Sequence, residues 1–215
     1  MKTLSREMRD ALTPQLAIDV LRHGNERFVK NLKSNRNLLQ QVNETSVGQH
    51  PLAIVLSCID SRTSAELIFD QGLGDIFSVR VAGNVLNEDI LGSMEFACKV
   101  AGAKAIVVLG HSRCGAVMGA CDGVELGNLT ALLQKIQPAI AEETETHADR
   151  TSRNAEFVQR VALNNVKLVE RLVIERSPLL AEMLDKGEIA VLGGMYDVET
   201  GAVEFYDVMI AAGAR

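Results

Sequence analysis

Thiol, imidazole and carboxylate side chains occur in two short segments of this 215-residue sequence, a little over fifty residues apart. The first segment contains Cys58 and Asp60, and the second contains His111 and Cys114. Two thiolates and an imidazole form a ligand set that suits Zn²⁺ in tetrahedral coordination. The fourth position is then left for Asp60 or for water, and its occupant decides whether such a site is closed or catalytic.

An ordinary buried cysteine is the main alternative to a metal ligand, because cysteine is among the residue types found most often in protein cores. We interpret Cys98 and Cys121 in this way. The Cys-x-Asp-x-Arg and His-x-x-Cys motifs are each weak alone, but together, each after a strand, they favour a metal site. A closed structural zinc site is a second alternative, although three strong ligands with one detachable carboxylate differ from the usual Cys/His sets.

The elements that would position these side chains are strands alternating with helices. Three β-branched runs, Leu52–Ser57, Ile76–Val81 and Ala105–Gly110, are separated by helical patterns at Ser64–Asp70 and Asp89–Val100. This spacing predicts right-handed crossovers and a parallel sheet whose strands are buried on both faces. Because ligands of such sheets bind at the carboxyl ends of the strands, the two motifs are expected to share one crevice.

The rest of the chain predicts further helices and a final hairpin. Helical patterns cover Thr130–Thr146, Ala155–Arg176 and Pro178–Lys186, and strand-like runs cover Ile189–Tyr196 and Val203–Tyr206. We therefore predict an α/β fold with a central, mostly parallel sheet. About four parallel strands and one antiparallel edge strand are expected, flanked by helices.

The first fifty residues are expected to form an N-terminal helical arm of a single domain spanning 1–215. Thr13 and Pro14 are typical of a helix start, and apolar residues recur at helical spacing up to Leu32. Residues 34–50 are polar and are expected to be a loop. The amphipathic helix could lie on a membrane surface, but packing on the domain or on a partner subunit is the commoner outcome.

Composition indicates a folded protein that does not span a membrane. Hydrophobic residues make up 47% of the chain, yet the apolar runs are too short to cross a bilayer. The start, MKTLSREMRD, is too acidic for a secretory signal, so a cytoplasmic location is expected. A net charge of −6 and the lack of tryptophan argue against nucleic-acid binding.

The two motifs resemble a known family. Cys58–Arg62 and Gly110–Gly115 look like the paired signature motifs of the β-class carbonic anhydrases, and Gly74–Asn84 is similar to the family's second-strand segment. The similarity covers nearly the whole chain and is strongest over residues 49–118. The resemblance implies the family's α/β fold and its zinc chemistry.

The resemblance also assigns roles to the chemically active residues. It makes Cys58, His111 and Cys114 permanent ligands of one zinc ion per chain. Asp60 would be either the fourth metal ligand or the salt-bridge partner of Arg62, and the active state requires the salt bridge. These two residues are therefore expected to be catalytic.

Four further positions would contact substrate if the resemblance holds. Gln49 matches a glutamine that hydrogen-bonds substrate in plant-type members, and Phe77 and Ala82 match apolar pocket positions. Phe96 stands where plant-type members carry a pocket tyrosine contributed across a dimer, so a hydroxyl group is missing here. The pocket would thus be shared between two subunits.

The implied activity is the reversible hydration of carbon dioxide to bicarbonate and a proton by attack of zinc-bound hydroxide. No organic cofactor is implied, and the expected assembly is a homodimer or a dimer of dimers. A hydrolase acting on CS₂ or COS with the same scaffold is one alternative. A non-catalytic assembly protein stapled by zinc is the other.

Overall fold

The computed structural model describes residues 3–209, which contain one five-stranded sheet. The strands are β1 Ala53–Ser57, β2 Ile76–Arg80, β3 Ala105–His111, β4 Ala190–Tyr196 and β5 Val203–Met209, in the spatial order β2-β1-β3-β4-β5. The first four are parallel, and β5 is antiparallel to β4. The predicted fold class is therefore confirmed.

Helices cover both faces of the sheet. They are α1 Arg6–Asp10, α2 Pro14–Val29, α3 Leu38–Glu44, α4 Ala65–Ile68, α5 Glu88–Glu95, α6 Gly115–Cys121, α7 Gly127–Gln134, α8 Gln137–Glu142, α9 Ala155–Arg176 and α10 Pro178–Asp185. A 3₁₀ turn at Ala82–Asn84 follows β2, and a π-helical turn at Phe96–Val100 extends α5. None of these helices is both long enough and apolar enough to cross a membrane.

Two apolar cores lie on opposite faces of the sheet because successive strand residues point in opposite directions. Ile54 and Leu56 of β1 face the larger core, which α5 to α10 complete. Ala53 and Val55 face the smaller core, which α2 and α4 cover. Every residue of β1, β3 and β4 is buried, as expected for parallel strands covered on both faces.

The N-terminal arm differs from the predicted loop. Residues 34–50 contain helix α3, which begins after Asn37, whose Oδ1 accepts a hydrogen bond from the Gln40 N–H at 3.1 Å. The short length of α3 and its mixed composition hide its periodicity in the sequence. Helix α2 ends at Val29 rather than at Leu32, because Asn31 adopts a left-handed conformation with φ of 54°.

The arm is docked on the domain through a buried carboxylate. Asp70, at the end of α4, accepts hydrogen bonds from Arg27 Nε at 2.6 Å and from Ser34 Oγ at 2.9 Å, and it also contacts the guanidinium of Arg36. The α2 face containing Ile18 is completely buried against the sheet. Helix α2 therefore packs on the domain, as the sequence favoured over a membrane surface.

The predicted helix Thr130–Thr146 is divided into α7 and α8 and ends at Glu142. Pro138, in the first turn of α8, lacks the N–H that a continuous helix requires, and its ring would clash with the carbonyl of residue 134. Glu143 then turns away and accepts hydrogen bonds from Thr146 and Arg150. The acidic segment that follows is thus an ordered loop and not the end of a helix.

Candidate metal centre

Three side chains with metal-binding atoms meet at the carboxyl edge of the sheet. The ligand atoms of Cys58, His111 and Cys114 all lie within 4.8 Å of one another, and the two sulfur atoms are 4.0 Å apart. All three residues are at most 4% exposed. The structure thus brings together the two motifs that the sequence places after separate strands.

The register of the strands explains this meeting. Strands β1 and β3 are adjacent and parallel, with Ser57 beside Leu109, so both end at the same edge. Cys58 directly follows β1, and His111 is the last residue of β3. Arg113, in a left-handed conformation with φ of 56°, turns the chain so that Cys114 is the N-cap residue of α6.

The imidazole of His111 is oriented with one nitrogen available to a cation. Its Nδ1 lies 2.9 Å from the carbonyl oxygen of Ser112, which requires the proton on Nδ1 and leaves a lone pair on Nε2. Nε2 is buried and has no hydrogen-bond partner within residues 3–209. An unsatisfied buried acceptor is costly, and a metal ion bound by two sulfur atoms and this nitrogen would remove the cost.

The two thiols are joined by a hydrogen bond, which shifts their pKa values in opposite directions. The pKa of Cys58 lies below its ordinary value because Cys114 donates a hydrogen bond to it, which outweighs the effect of burial. The pKa of Cys114 lies above its ordinary value because its thiol is hydrogen-bonded to the Cys58 sulfur and is itself buried. A dication that binds both sulfur atoms would displace the proton of the hydrogen bond between them.

Asp60 is held beside this cluster by Arg62. The guanidinium donates from Nε to Oδ1 at 2.9 Å and from Nη2 to Oδ2 at 2.7 Å, and the Arg62 backbone N–H donates to Oδ1 at 3.0 Å. These bonds to Arg62 hold the pKa of Asp60 well below its ordinary value, against a smaller opposing effect of burial. The carboxylate is therefore ionised and engaged in a bidentate pair.

Two residues that the sequence analysis did not single out hold the loop around Asp60. Thr63 Oγ1 lies 2.9 Å from the carbonyl oxygens of both Cys58 and Asp60. Arg80, at the end of β2, donates to the same two carbonyls at 3.1 and 2.6 Å. Arg80 could have been identified from the sequence, because it is a basic residue at the carboxyl end of the strand predicted beside the one that precedes Cys58.

The turn containing Ala82 also borders the cluster. The backbone N–H of Gly83 donates to Cys58 Sγ at 3.3 Å. Gly83 has φ of 66°, and a side chain there would meet Ile136 Cδ1 at 2.8 Å, so glycine is required on both counts. Ala82 directly precedes Gly83, so this turn places it closer to the cluster than Gln49 is.

Phe77 and Phe96 lie together but away from the cluster. Their ring centroids are 6.2 Å apart with the planes at 64°, and both rings line a cleft of about 690 Å³ between β2 and α5. Phe77 pairs with Ile54, four residues before Cys58, which corresponds to roughly 13 Å along the strand. Phe96 is 53% exposed.

Gln49 lies at the opposite end of the sheet from the cluster. It precedes β1, is exposed, and lies beside Gly74 just before β2. The five residues of β1 alone span roughly 16 Å, so a single chain does not bring Gln49 to Cys58.

The remaining cysteines fit the expected core role. Cys98 is 2% exposed, and burial raises its pKa to about 12. Burial likewise raises the pKa of Cys121 to about 11. None of the four cysteines in the described part of the chain forms a disulfide.

Comparisons with known proteins all identify carbonic anhydrases as similar to this chain. A family model described as carbonic anhydrase matches residues 53–203. The chain is 36% identical over 202 residues to "Carbonic anhydrase 2" of Mycobacterium tuberculosis, which covers 90% of this chain and 93% of the relative. It is 34% identical over 198 residues to the carbonic anhydrase of Mycolicibacterium smegmatis, with 89% and 92% covered.

Solved structures give the same result for the fold. The β-carbonic anhydrase CafA of Aspergillus fumigatus is 30% identical, with a TM-score of 0.68 over 79% of this chain and 81% of that chain. A structure from a study of two tetrameric β-carbonic anhydrases of Sordaria macrospora is 26% identical, with a TM-score of 0.67 over 77% and 89%.

Proposed function

The chain belongs to the β-class carbonic anhydrases, and we propose that it hydrates carbon dioxide reversibly at one zinc ion held by Cys58, His111 and Cys114. The observation that carries the zinc assignment is the buried cluster of two sulfur atoms and one imidazole nitrogen without a partner in the described chain. Thiolate and imidazole ligands in this number suit zinc. Three protein ligands leave a fourth position for catalysis.

Zinc bound there would act as a Lewis acid and lower the pKa of a water molecule toward neutrality. Two thiolates offset most of the charge of the dication, so this pKa should remain higher than at a site with three histidines. We therefore expect activity to rise toward alkaline pH.

Asp60 and Arg62 are proposed as the catalytic pair. While Arg62 holds the carboxylate, Asp60 is kept out of the fourth position and its oxygens can accept a hydrogen bond from a reacting group. If the pair opens, Asp60 is close enough in sequence to Cys58 to become the fourth ligand and close the site. The pair would thus control access to the metal.

The expected assembly is a homodimer or a dimer of dimers, with a substrate pocket completed by a second copy of the chain. Gln49, Phe77 and Phe96 lie away from the cluster within one chain, which supports a contribution from another subunit. Strand β2 is at the edge of the described sheet, and an open edge next to an exposed aromatic ring favours association. A twofold axis would place the pocket residues of one subunit beside the metal ligands of the other, at both sites of the dimer.

A cytoplasmic location is proposed because the ligand cysteines must stay reduced. Cytosolic redox buffers maintain thiols, and all four cysteines here are free. Carbon dioxide and bicarbonate are the proposed substrates.

Stopped-flow measurement of carbon dioxide hydration, with zinc quantified on the same sample, tests the proposal. We expect one zinc ion per chain and a rate that increases from pH 7 to pH 9. Turnover of COS or CS₂ without carbon dioxide hydration would assign the hydrolase instead. Bound zinc with no turnover of carbon dioxide, COS or CS₂ would indicate a structural zinc protein.

A further inference from the structure

Asn165 is a buried amide on the inward face of α9, where Glu170 is the other buried residue with a polar side chain. It is 1% exposed and lies among Val161, Ala162, Val166 and Val169. Its Oδ1 has no hydrogen-bond partner within the described residues. A buried amide with an unpaired oxygen costs free energy. The hydrogen bond that its nitrogen makes is therefore the interaction that favours asparagine at position 165.

That bond connects α9 to the turn beside the metal ligands. Asn165 Nδ2 donates to the carbonyl oxygen of Gly83 at 2.9 Å, in a buried contact between residues 82 positions apart. The N–H of the same glycine donates to Cys58 Sγ at 3.3 Å. Gly83 therefore links a side chain of α9 to a sulfur atom of the candidate centre.

We propose that Asn165 is a positioning residue for the metal centre: by holding the Gly83 carbonyl, it aims the Gly83 N–H at the sulfur of Cys58. This inference rests on the proposed function, since it requires Cys58 to be a metal ligand. Gly83 has a left-handed backbone and no side chain to fix its orientation, so a hydrogen bond from another element is needed to hold the turn.

The expected effect is on the metal–sulfur bond. A hydrogen bond to a buried thiolate favours the ionised form that binds metal and fixes the direction of its lone pairs, and it also lowers the energy of the sulfur orbitals. Partners of this kind typically change metal affinity by about 10- to 100-fold when they are removed. Loss of the bond should also shift the sulfur-to-metal charge-transfer band to longer wavelength, because the sulfur orbitals rise in energy.

The test compares Asn165→Leu with Asn164→Leu. Asn164 is the preceding residue of α9 and donates to the carbonyl of Ala139 at 3.3 Å, so its replacement removes a similar bond to a different element. The zinc dissociation constant is measured by competition with a chelator, and the charge-transfer band is recorded on the cobalt(II)-substituted protein. We expect about 10-fold weaker zinc binding and a longer-wavelength band for Asn165→Leu, with parental values for Asn164→Leu.

Parental affinity and band position in folded Asn165→Leu would overturn the inference, and so would an equal shift in Asn164→Leu. A parent protein that binds no zinc, or whose cobalt form shows no sulfur charge-transfer band, would instead overturn the metal assignment itself. The two failures are therefore distinguishable.

A second variant and a measurement on the parent cover the case in which Asn165→Leu does not fold. Asn165→Ala removes the amide without adding a branched side chain and should show the same two changes. In the parent loaded with ¹¹³Cd, the amide proton of Gly83 should show scalar coupling to the metal through sulfur, and this coupling should weaken in Asn165→Ala. Absence of the coupling in the loaded parent would also refute the inference.

Discussion

Cys114 supplies one of only two soft ligands in the candidate centre. We expect Cys114→Ser to lose most bound zinc and most hydration activity together, because a serine hydroxyl is a far weaker zinc ligand than a thiolate. Zinc content by elemental analysis and stopped-flow rates check this. Cys121→Ser, at a half-buried cysteine outside the cluster, is the matched control and should keep its zinc. One zinc ion per chain and full turnover in Cys114→Ser would show that the ligand assignment is wrong.

Arg62 holds the Asp60 carboxylate in a bidentate pair, and we propose that this pair keeps Asp60 from the metal. We expect Arg62→Ala to inactivate the enzyme across the pH range while zinc stays bound, because the released carboxylate can occupy the fourth position. The measurement is the pH–rate profile together with zinc content. Arg171→Ala, which breaks a surface pair with Glu142, is the control and should have parental rates. Near-parental rates of Arg62→Ala at alkaline pH would contradict this role.

At the level of elements, the N-terminal arm depends on Asp70, whose side chain is 3% exposed. Burial raises the pKa of Asp70, but the bonds from Arg27, Arg36 and Ser34 outweigh it and set the pKa at about 2. A carboxylate with a lowered native pKa adds stability that is complete above its unfolded pKa. That stability is lost as pH falls from about 4 through about 2.

We therefore expect Asp70→Asn to lower the free energy of unfolding by about 2 kcal/mol at pH 7 and to flatten its dependence on pH below 4. Urea unfolding between pH 2.5 and 7 measures both. Asp19→Asn removes an exposed carboxylate 3.8 Å from Arg22 and should change stability by less than about 1 kcal/mol. Equal losses in the two variants would mean that the arm is not held by Asp70.

For the whole molecule, Gln49, Phe77 and Phe96 lie away from the ligands within one chain, so we predict that activity depends on assembly. We expect the protein to have a mass in solution of two or four times 23.3 kDa. Phe96→Glu should shift this mass toward the monomer and reduce activity, because it places a charge on an exposed apolar surface. Light scattering with parallel rate measurements tests the prediction.

Leu126→Glu provides the comparison for that variant, since Leu126 is 66% exposed and lies outside the cleft of Phe96. It should keep the parental mass. An active monomer at micromolar concentration in the parent protein would contradict the shared pocket.

Local sequence signals were sufficient for the parallel sheet, for the bounds of α9, and for the ligand candidates. Continuous apolar runs reveal strands buried on both faces, and Asn154 and Pro178 mark the limits of α9 by capping and by proline chemistry. The two motifs could be placed together because parallel strands end at one edge of the sheet. Each of these inferences depends on residues that are close in the chain or on a general rule of sheet topology.

Only the tertiary structure revealed the features that depend on contacts between elements distant in the sequence. The two hydrogen bonds that link Asn165 to Gly83 and Gly83 to Cys58 join three elements, and no periodicity in the sequence predicts them. The same holds for the support of the Asp60 loop by Arg80 and for the docking of α3 within an apparently polar segment. Gln49 is nine residues from Cys58 in sequence, yet an extended strand carries the two to opposite ends of the sheet.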